Sequence, residues 1–193
     1  MTNILHLDAS ARQDQSVSRK LSKRIVDRIA TSDSAVIHRD LGKGLAFLDD
    51  AMVDSYFTPP ENRTPEQRGV IELSDQVTKE LLDADILVIG VPIYNFSMPA
   101  NLKAWCDLVT RVGVTFRYTE TGPVGLLKNK RAYVAVVSGG MKIGSDADFL
   151  TPWLLHYLKF IGIDDVQMVF AEGVKKTPDE SWESAKEQVR ALT

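Results

Sequence analysis

The sequence predicts an α/β fold, a three-layer sandwich around a five-stranded parallel sheet in the order 2-1-3-4-5. Strand-like and helix-like stretches alternate along the chain, and strands joined through helices pair in parallel by right-handed crossovers. The strand-like stretches are apolar along their length, Ile86 to Val91 above all. That pattern belongs to strands covered on both faces. At 193 residues, with a hydrophobic share of 44%, the chain is expected to form a single domain over residues 1–193.

Each element has its own signal. Asn3 to Leu7 is a short apolar run suited to a buried first strand. Ser18 to Ala30 carries Leu21, Ile25, Val26 and Ile29 as one helical stripe with charges between. The stretch AVIHRD reads as the second strand. Leu41 to Thr64 reads as a long irregular connection punctuated by Gly42, Gly44, Pro59 and Pro60. Thr64-Pro65 starts a helix, with proline at the first helical position, running to about Leu82. ADILVIGVP is the third strand, Pro99 to Val109 a helix, and RAYVAVVSGG the fourth strand. Thr151 to Ile161 is helical, DDVQMVFAEG is the fifth strand, and Glu180 to Leu192 closes the chain as a helix.

Composition narrows the function. Net charge is −3 and basic residues are scattered, so there is no electrostatic footprint for nucleic acid. The single cysteine, Cys106, forms no internal disulfide, and a cytoplasmic location is expected. The first residues read directly into a strand and not a signal peptide, and no apolar stretch has the length to span a bilayer. His6, His38 and His156 are isolated in sequence and are expected to be structural. Cys106, in a helix, is expected to be packed, not nucleophilic.

Open α/β sheets bind ligands beyond the carboxyl ends of their strands, near the switch point. Three loops converge there. The first, DASARQDQSVSRKLS, places Ser10, Ser16 and Ser18 between strand 1 and helix 1. Helix N-terminal amides and hydroxyls suit a phosphate, although either Ser16 or Ser18 alone also suits a helix cap. The second, VPIYNFSMP, is unusually aromatic for a loop. Tyr94 and Phe96 offer flat apolar surface, and Asn95 offers both a donor and an acceptor; the plainer reading is that the rings cover the sheet edge. The third holds Ser138, Gly139 and Gly140, where backbone can approach a ligand closely or simply turn.

Several families are excluded by absence. No glycine stands between Asp8 and Ser18, so the G-x-G-x-x-G fingerprint is missing, and there is no G-x-x-x-x-G-K-[ST]. Strand 3 ends in Gly90-Val91-Pro92, without a phosphate-accepting aspartate. Asp8 alone is weak evidence for a metal, and none is expected. A phosphate site, an aromatic wall and a close backbone approach together describe a phosphorylated flat ring, with flavin mononucleotide (FMN) the economical candidate.

The chain resembles the FMN-dependent NADH:azoreductases, flavodoxin-like enzymes that also reduce quinones. The resemblance rests on Ser16 to Ser18, the block YNFSMPANLKAWCDLVTRVGVTFRYTETGPVGLL from Tyr94, Ser138 to Gly140, and the segment from Phe160 to Gly173. It implies a flavodoxin-like order 2-1-3-4-5, with Ser10 and Ser16-Val17-Ser18 on the FMN phosphate. Ile93-Tyr94-Asn95-Phe96 would lie along the isoalloxazine and Ser138-Gly139-Gly140 at its polar edge. Family members often carry methionine where Ile93 stands, and Ser-Arg-Gly-Gly where this chain has Val137-Ser138-Gly139-Gly140, so that arginine is missing. The resemblance also implies a homodimer with the active site at the interface, and places Tyr118 and Phe160 in the substrate pocket. Two segments are candidate lids: Leu41 to Thr64, which is too apolar for disorder, and VTFRYTETGP.

The expected function is therefore an FMN oxidoreductase taking a hydride from NADH or NADPH and passing two electrons to an azo compound or quinone in ping-pong fashion. The flavin ring is its redox centre, and no side chain is expected to be catalytic. The competing class is a flavodoxin-like FMN electron carrier without its own substrate, disfavoured by the modest charge and the two lids. A flavin-dependent repressor lacks a DNA-binding helix pair or a basic face.

Overall fold

The structure, a computed structural model, describes residues 1–193. In chain order the elements are β1 (Thr2–Asp8), α1 (Val17–Ile29), β2 (Ser34–Asp40), α2 (Asp50–Phe57), α3 (Pro65–Val70), α4 (Glu72–Asp83), β3 (Ile86–Pro92), α5 (Ala100–Val109), β4 (Phe116–Thr119), β5 (Gly122–Gly125), β6 (Arg131–Val137), α6 (Leu150–Ile161), β7 (Asp165–Ala171) and α7 (Pro178–Arg190).

Five strands form one parallel sheet in the order β2-β1-β3-β6-β7, the expected 2-1-3-4-5 once the β4–β5 hairpin is set aside. Alternate residues of the strands serve opposite faces. Leu5, Leu7, Leu87, Ile89, Val134 and Val136 pack under α4, α5 and α6, around the fully buried Trp105. Ile4, Val88, Tyr133, Ala135 and Val169 pack under α1 and α7. Chain direction across the sheet reverses between β1 and β3, which opens the cleft at their carboxyl ends. Two hydrogen bonds hold the loops there: the Ala9 amide donates to the Gly90 carbonyl at 2.9 Å, and the Ile93 amide to the Val137 carbonyl at 2.8 Å.

Two sequence expectations change, and a segment left without an assigned element gains one. The connection over 41–64 is not irregular throughout: two 3₁₀ turns flank α2, and Leu41 and Met52 are buried in the core while Phe47 and Phe57 point outward. The helix expected from Pro65 to Leu82 is two helices that meet at Ile71, whose backbone (φ −93°, ψ 2°) leaves the helical region as its side chain enters the core. The VTFRYTETGP segment forms an antiparallel hairpin, β4–β5. The hairpin docks through glycine on glycine: a Cβ on Gly125 would sit 2.1 Å from the Gly162 nitrogen, and the Leu127 amide donates to the Ile161 carbonyl at 3.0 Å. Gly162 itself ends α6 in the left-handed conformation (φ 103°), as glycine commonly does.

Candidate active site

The expected cofactor-binding residues share one cleft of about 560 Å³. Ser10, Ser16, Val17 and Ser18 line one end. Ile93, Tyr94, Asn95 and Phe96 form a wall, and Ser138, Gly139 and Gly140 border the other side.

At the first loop, the structure shows the capping role directly. Ser16 caps α1, its Oγ accepting from the Arg19 amide at 3.3 Å, and its hydroxyl also lies 3.1 Å from that of Ser18. The amides of Val17 and Ser18 donate to no protein group, because helix geometry leaves the first turn without intrahelical acceptors. Ser10 bridges to the second loop, its Oγ 3.3 Å from the Tyr94 hydroxyl. Free amides, neutral hydroxyls and a helix dipole at one spot favour an anion.

A half-buried brace fixes this loop, and its members are far apart in sequence. Arg19 donates from Nε to the Arg12 carbonyl and from Nη2 to the Ser10 carbonyl, both at 2.7 Å, and pairs closely with Asp40. Gly42 lets the chain pass: a Cβ there would meet the Arg19 guanidinium and the Ser10 carbonyl at 2.6 Å. Behind the brace lies Asp8, which accepts from Ser22 at 2.7 Å and lies 2.9 Å from His38 Nε2. His6 and His38, isolated in sequence, are register partners across β1 and β2, and both reach Asp8. Burial pushes the Asp8 carboxyl up, but His6, Ser22 and His38 outweigh it and hold the group below the ordinary carboxylate range.

The aromatic second loop owes its shape to a strained turn. The Tyr94 and Ser97 backbones exchange hydrogen bonds at 2.9 and 3.0 Å, and the two residues between them have positive φ, 48° at Asn95 and 72° at Phe96. A bulky residue with positive φ is uncommon and costs about 1–3 kcal/mol. The turn holds Phe96 outward, 58% exposed, while Ile93 packs against the core. The Phe149 amide, just before α6, donates to the Phe96 carbonyl at 3.0 Å. The third loop is secured from both sides: Ser138 Oγ donates to the Met141 carbonyl, and Asp148 accepts from the Gly144, Leu150 and Thr151 amides.

A fourth segment joins the site, from the chain that follows β7. The Val174 and Lys175 amides donate to the Ser138 and Gly139 carbonyls at 3.2 and 3.1 Å, bringing both residues into the cleft. Arg12, Gln15 and Met141 line it too. The position of residues 174–175 beyond the carboxyl end of the fifth strand was the available signal. Tyr118 and Phe160 do not line the cleft of their own chain. Phe160 packs on Phe116 at a tilt (ring centroids 4.7 Å apart, planes 45° apart), Phe116 meets Tyr118 edge-on at 5.3 Å, and Tyr118 is 70% exposed. Cys106 is buried, and its thiol is pushed well up by burial, consistent with a packed group.

Sheet order, switch-point cleft and anion-suited first loop define a flavodoxin-like protein, and residues 2–193 match the family described as having the flavodoxin-like fold. More particularly, the chain belongs to the family of the FMN-dependent NADH:quinone oxidoreductases. It is 51% identical to FMN-dependent NADH:quinone oxidoreductase 1 of Jannaschia sp. (strain CCS1), covering 100% of this chain and 99% of that protein. It is 45% identical to the FMN-dependent NADH:quinone oxidoreductase of Erythrobacter litoralis (strain HTCC2594), covering 100% and 99%. Among solved structures it resembles an FMN-dependent NADH-azoreductase from Bacillus anthracis str. Ames Ancestor in complex with FMN. That likeness has a TM-score of 0.88 and 27% identity over 99% of this chain and 97% of the other.

Proposed function

We propose that the cleft binds FMN and that the chain uses NADH, or NADPH, to reduce quinones and azo compounds by a ping-pong exchange. The observation that carries this reading is the convergence, in one cleft, of a phosphate-suited end, a flat apolar wall and a close backbone approach. The Val17 and Ser18 amides and the hydroxyls of Ser10, Ser16 and Ser18 would hold the phosphate. Ile93, Tyr94, Asn95 and Phe96 would flank the ring, and Ser138, Gly139 and Gly140 would border its polar edge. Bound there, FMN would supply the redox chemistry, hydride acceptance from the nicotinamide and two-electron transfer to the acceptor. The protein's part is to bind, orient and exclude water. No carboxylate or histidine of this chain lines the cleft, and solvent is the proposed source of a proton required by the acceptor.

A homodimer completes the reading. Phe47, Phe57, Tyr118 and Phe149 are each more than half exposed, a large apolar outlay for a lone chain. In a dimer, Tyr118 and Phe160 border the substrate side of the other copy's cleft. No helix is long and apolar enough to cross a membrane, and the one free, buried thiol suits a reducing cytoplasm.

The decisive experiment is purification and assay. The protein is expected to be yellow, to release FMN equimolar with chain on denaturation, and to oxidise NADH when menadione is supplied. Colourless protein that takes up no added FMN overturns the reading. For Phe160, Phe160→Ala is expected to keep FMN and Tm while changing acceptor KM. A large fall in Tm with unchanged acceptor ranking makes it a core residue instead.

A further inference from the structure

Charge in the cleft is one-sided. Of its lining residues, Arg12 and Lys175 are cationic and none is acidic, in a chain whose net charge is −3. The two cations stand at different ends. Arg12 belongs to the first loop, its amide donating to Ser10 Oγ at 3.2 Å, beside the phosphate-suited amides. Lys175 belongs to the glycine end. Its backbone donates to the Gly139 carbonyl at 3.1 Å, and its stem lies along that glycine. A Cβ on Gly139 would meet Lys175 Cδ, Cε and Cγ at 3.2–3.4 Å. Lys175 takes part in none of the ion pairs of the molecule. A cation at the phosphate end is accounted for by the phosphate. A second cation, at the glycine end, is not.

We propose that Lys175 is the electrostatic partner of the reduced flavin, favouring the anion that hydride transfer creates; this rests on the FMN reading above. Hydride transfer from NADH, which leaves as NAD⁺, delivers one proton and two electrons to the ring. It therefore adds one negative charge, which resides on the pyrimidine edge unless a further proton arrives. Ser138, Gly139 and Gly140 offer backbone and one hydroxyl to that edge but no charge, and the Lys175 stem, out to Cε, lies against Gly139. A cation there lowers the energy of the reduced form relative to the oxidised one, which is how proteins tune flavin electronics. The lysine is exposed, so its field is screened. A unit charge near a protein surface then shifts the ratio of reduced- to oxidised-FMN affinity about tenfold.

The test is the two-electron midpoint potential of FMN-loaded protein, measured by dye equilibration, for wild type, Lys175→Gln, Lys175→Arg and Lys176→Gln. Lys176, whose stem lies 3.6 Å from a Cβ on Gly140, does not line the cleft and serves as the neighbouring-charge control. Lys175→Gln is expected to bind oxidised FMN within about twofold of wild type and to lower the tenfold ratio to near unity, a fall of about 30 mV for a two-electron couple. Lys175→Arg restores the wild-type potential, Lys176→Gln leaves it unchanged, and high salt moves wild type toward Lys175→Gln. Three results overturn the proposal: an unchanged potential in Lys175→Gln, an equal fall in Lys176→Gln, or an unchanged potential with a raised KM for NADH, which assigns the lysine to the dinucleotide phosphates. If wild type itself takes up no FMN, the parent reading fails, and this one with it.

Discussion

Replacing Arg19 by glutamine tests whether the phosphate-suited loop is held by its brace. The variant loses two charge-assisted bonds to the Ser10 and Arg12 carbonyls, both 2.7 Å in the wild type, and leaves Asp40 without its cation. Breaking one side of a buried pair costs about 3–5 kcal/mol. The Arg19 and Asp40 side chains keep 12% and 10% exposure, so water recovers part of the loss. The expected cost is therefore at the lower end, about 3 kcal/mol, or a fall in Tm of roughly 6–12 °C for a chain of this size. The freed carbonyls let the loop drift, and FMN affinity is expected to weaken by about 1.4–2.8 kcal/mol, ten- to a hundredfold. Urea unfolding and quenching of FMN fluorescence measure the two effects on one preparation. Asp40→Asn separates them: it removes the ion pair but keeps both carbonyl bonds, and should lower stability while leaving FMN affinity near wild type. If Arg19→Gln binds FMN within twofold of wild type, the loop keeps its shape without the guanidinium, and the brace is a stability feature only.

Ser16→Ala with Ser18→Ala should weaken FMN binding by about 1–3 kcal/mol in the same titration, with a further loss of about 1 kcal/mol in stability from the α1 cap; retention of FMN at wild-type affinity would place the phosphate elsewhere. Gly125→Ala drives a methyl into the Gly162 backbone, 2.1 Å away, where nothing flexible can yield; a Tm lowered by about 6–12 °C, from roughly 3 kcal/mol of overpacking, is expected in a thermal melt. Asp8 is depressed in the folded state, so its stabilisation is present above its unfolded pKa of about 3.9 and is lost as pH falls through the lower folded value. Melts across the acid range should therefore show a falling limb below about pH 4 that Asp8→Asn makes shallower, and an unaltered limb would assign it to other carboxylates.

The sheet was legible because its strands are local runs. Ile86 to Val91 could only be a buried strand, and β6 repeats the pattern. What escaped was either short or set from afar. The hairpin strands β4 and β5 have four residues each, and β5 is Gly-Pro-Val-Gly, three of whose four residues are of types depleted in strands. Helix α2 has eight residues, of which only Met52 and Ser55 are buried, so its periodicity is lost in the long connection. The break at Ile71 is a tertiary decision, taken when that side chain enters the core. The same division holds at the cleft. The serine, aromatic and glycine stretches are contiguous and could be read directly. Arg19, in α1, meets its carbonyl partners seven and nine residues away and Asp40 at the end of β2. Lys175 reaches the cleft only through backbone pairing with a loop more than thirty residues earlier.

The turn at Asn95 and Phe96 also bears on the cost of ligand capture. A loop that orders only on contact surrenders backbone entropy of roughly 1–2 kcal/mol per residue at that moment. Here the paired backbone bonds between Tyr94 and Ser97, with the tie from Phe149, meet that cost when the chain folds. On the FMN reading, a wall ordered in this way before a ring arrives would lose little affinity to ordering. The same ordering would limit how far the wall can adapt to ring systems of different bulk.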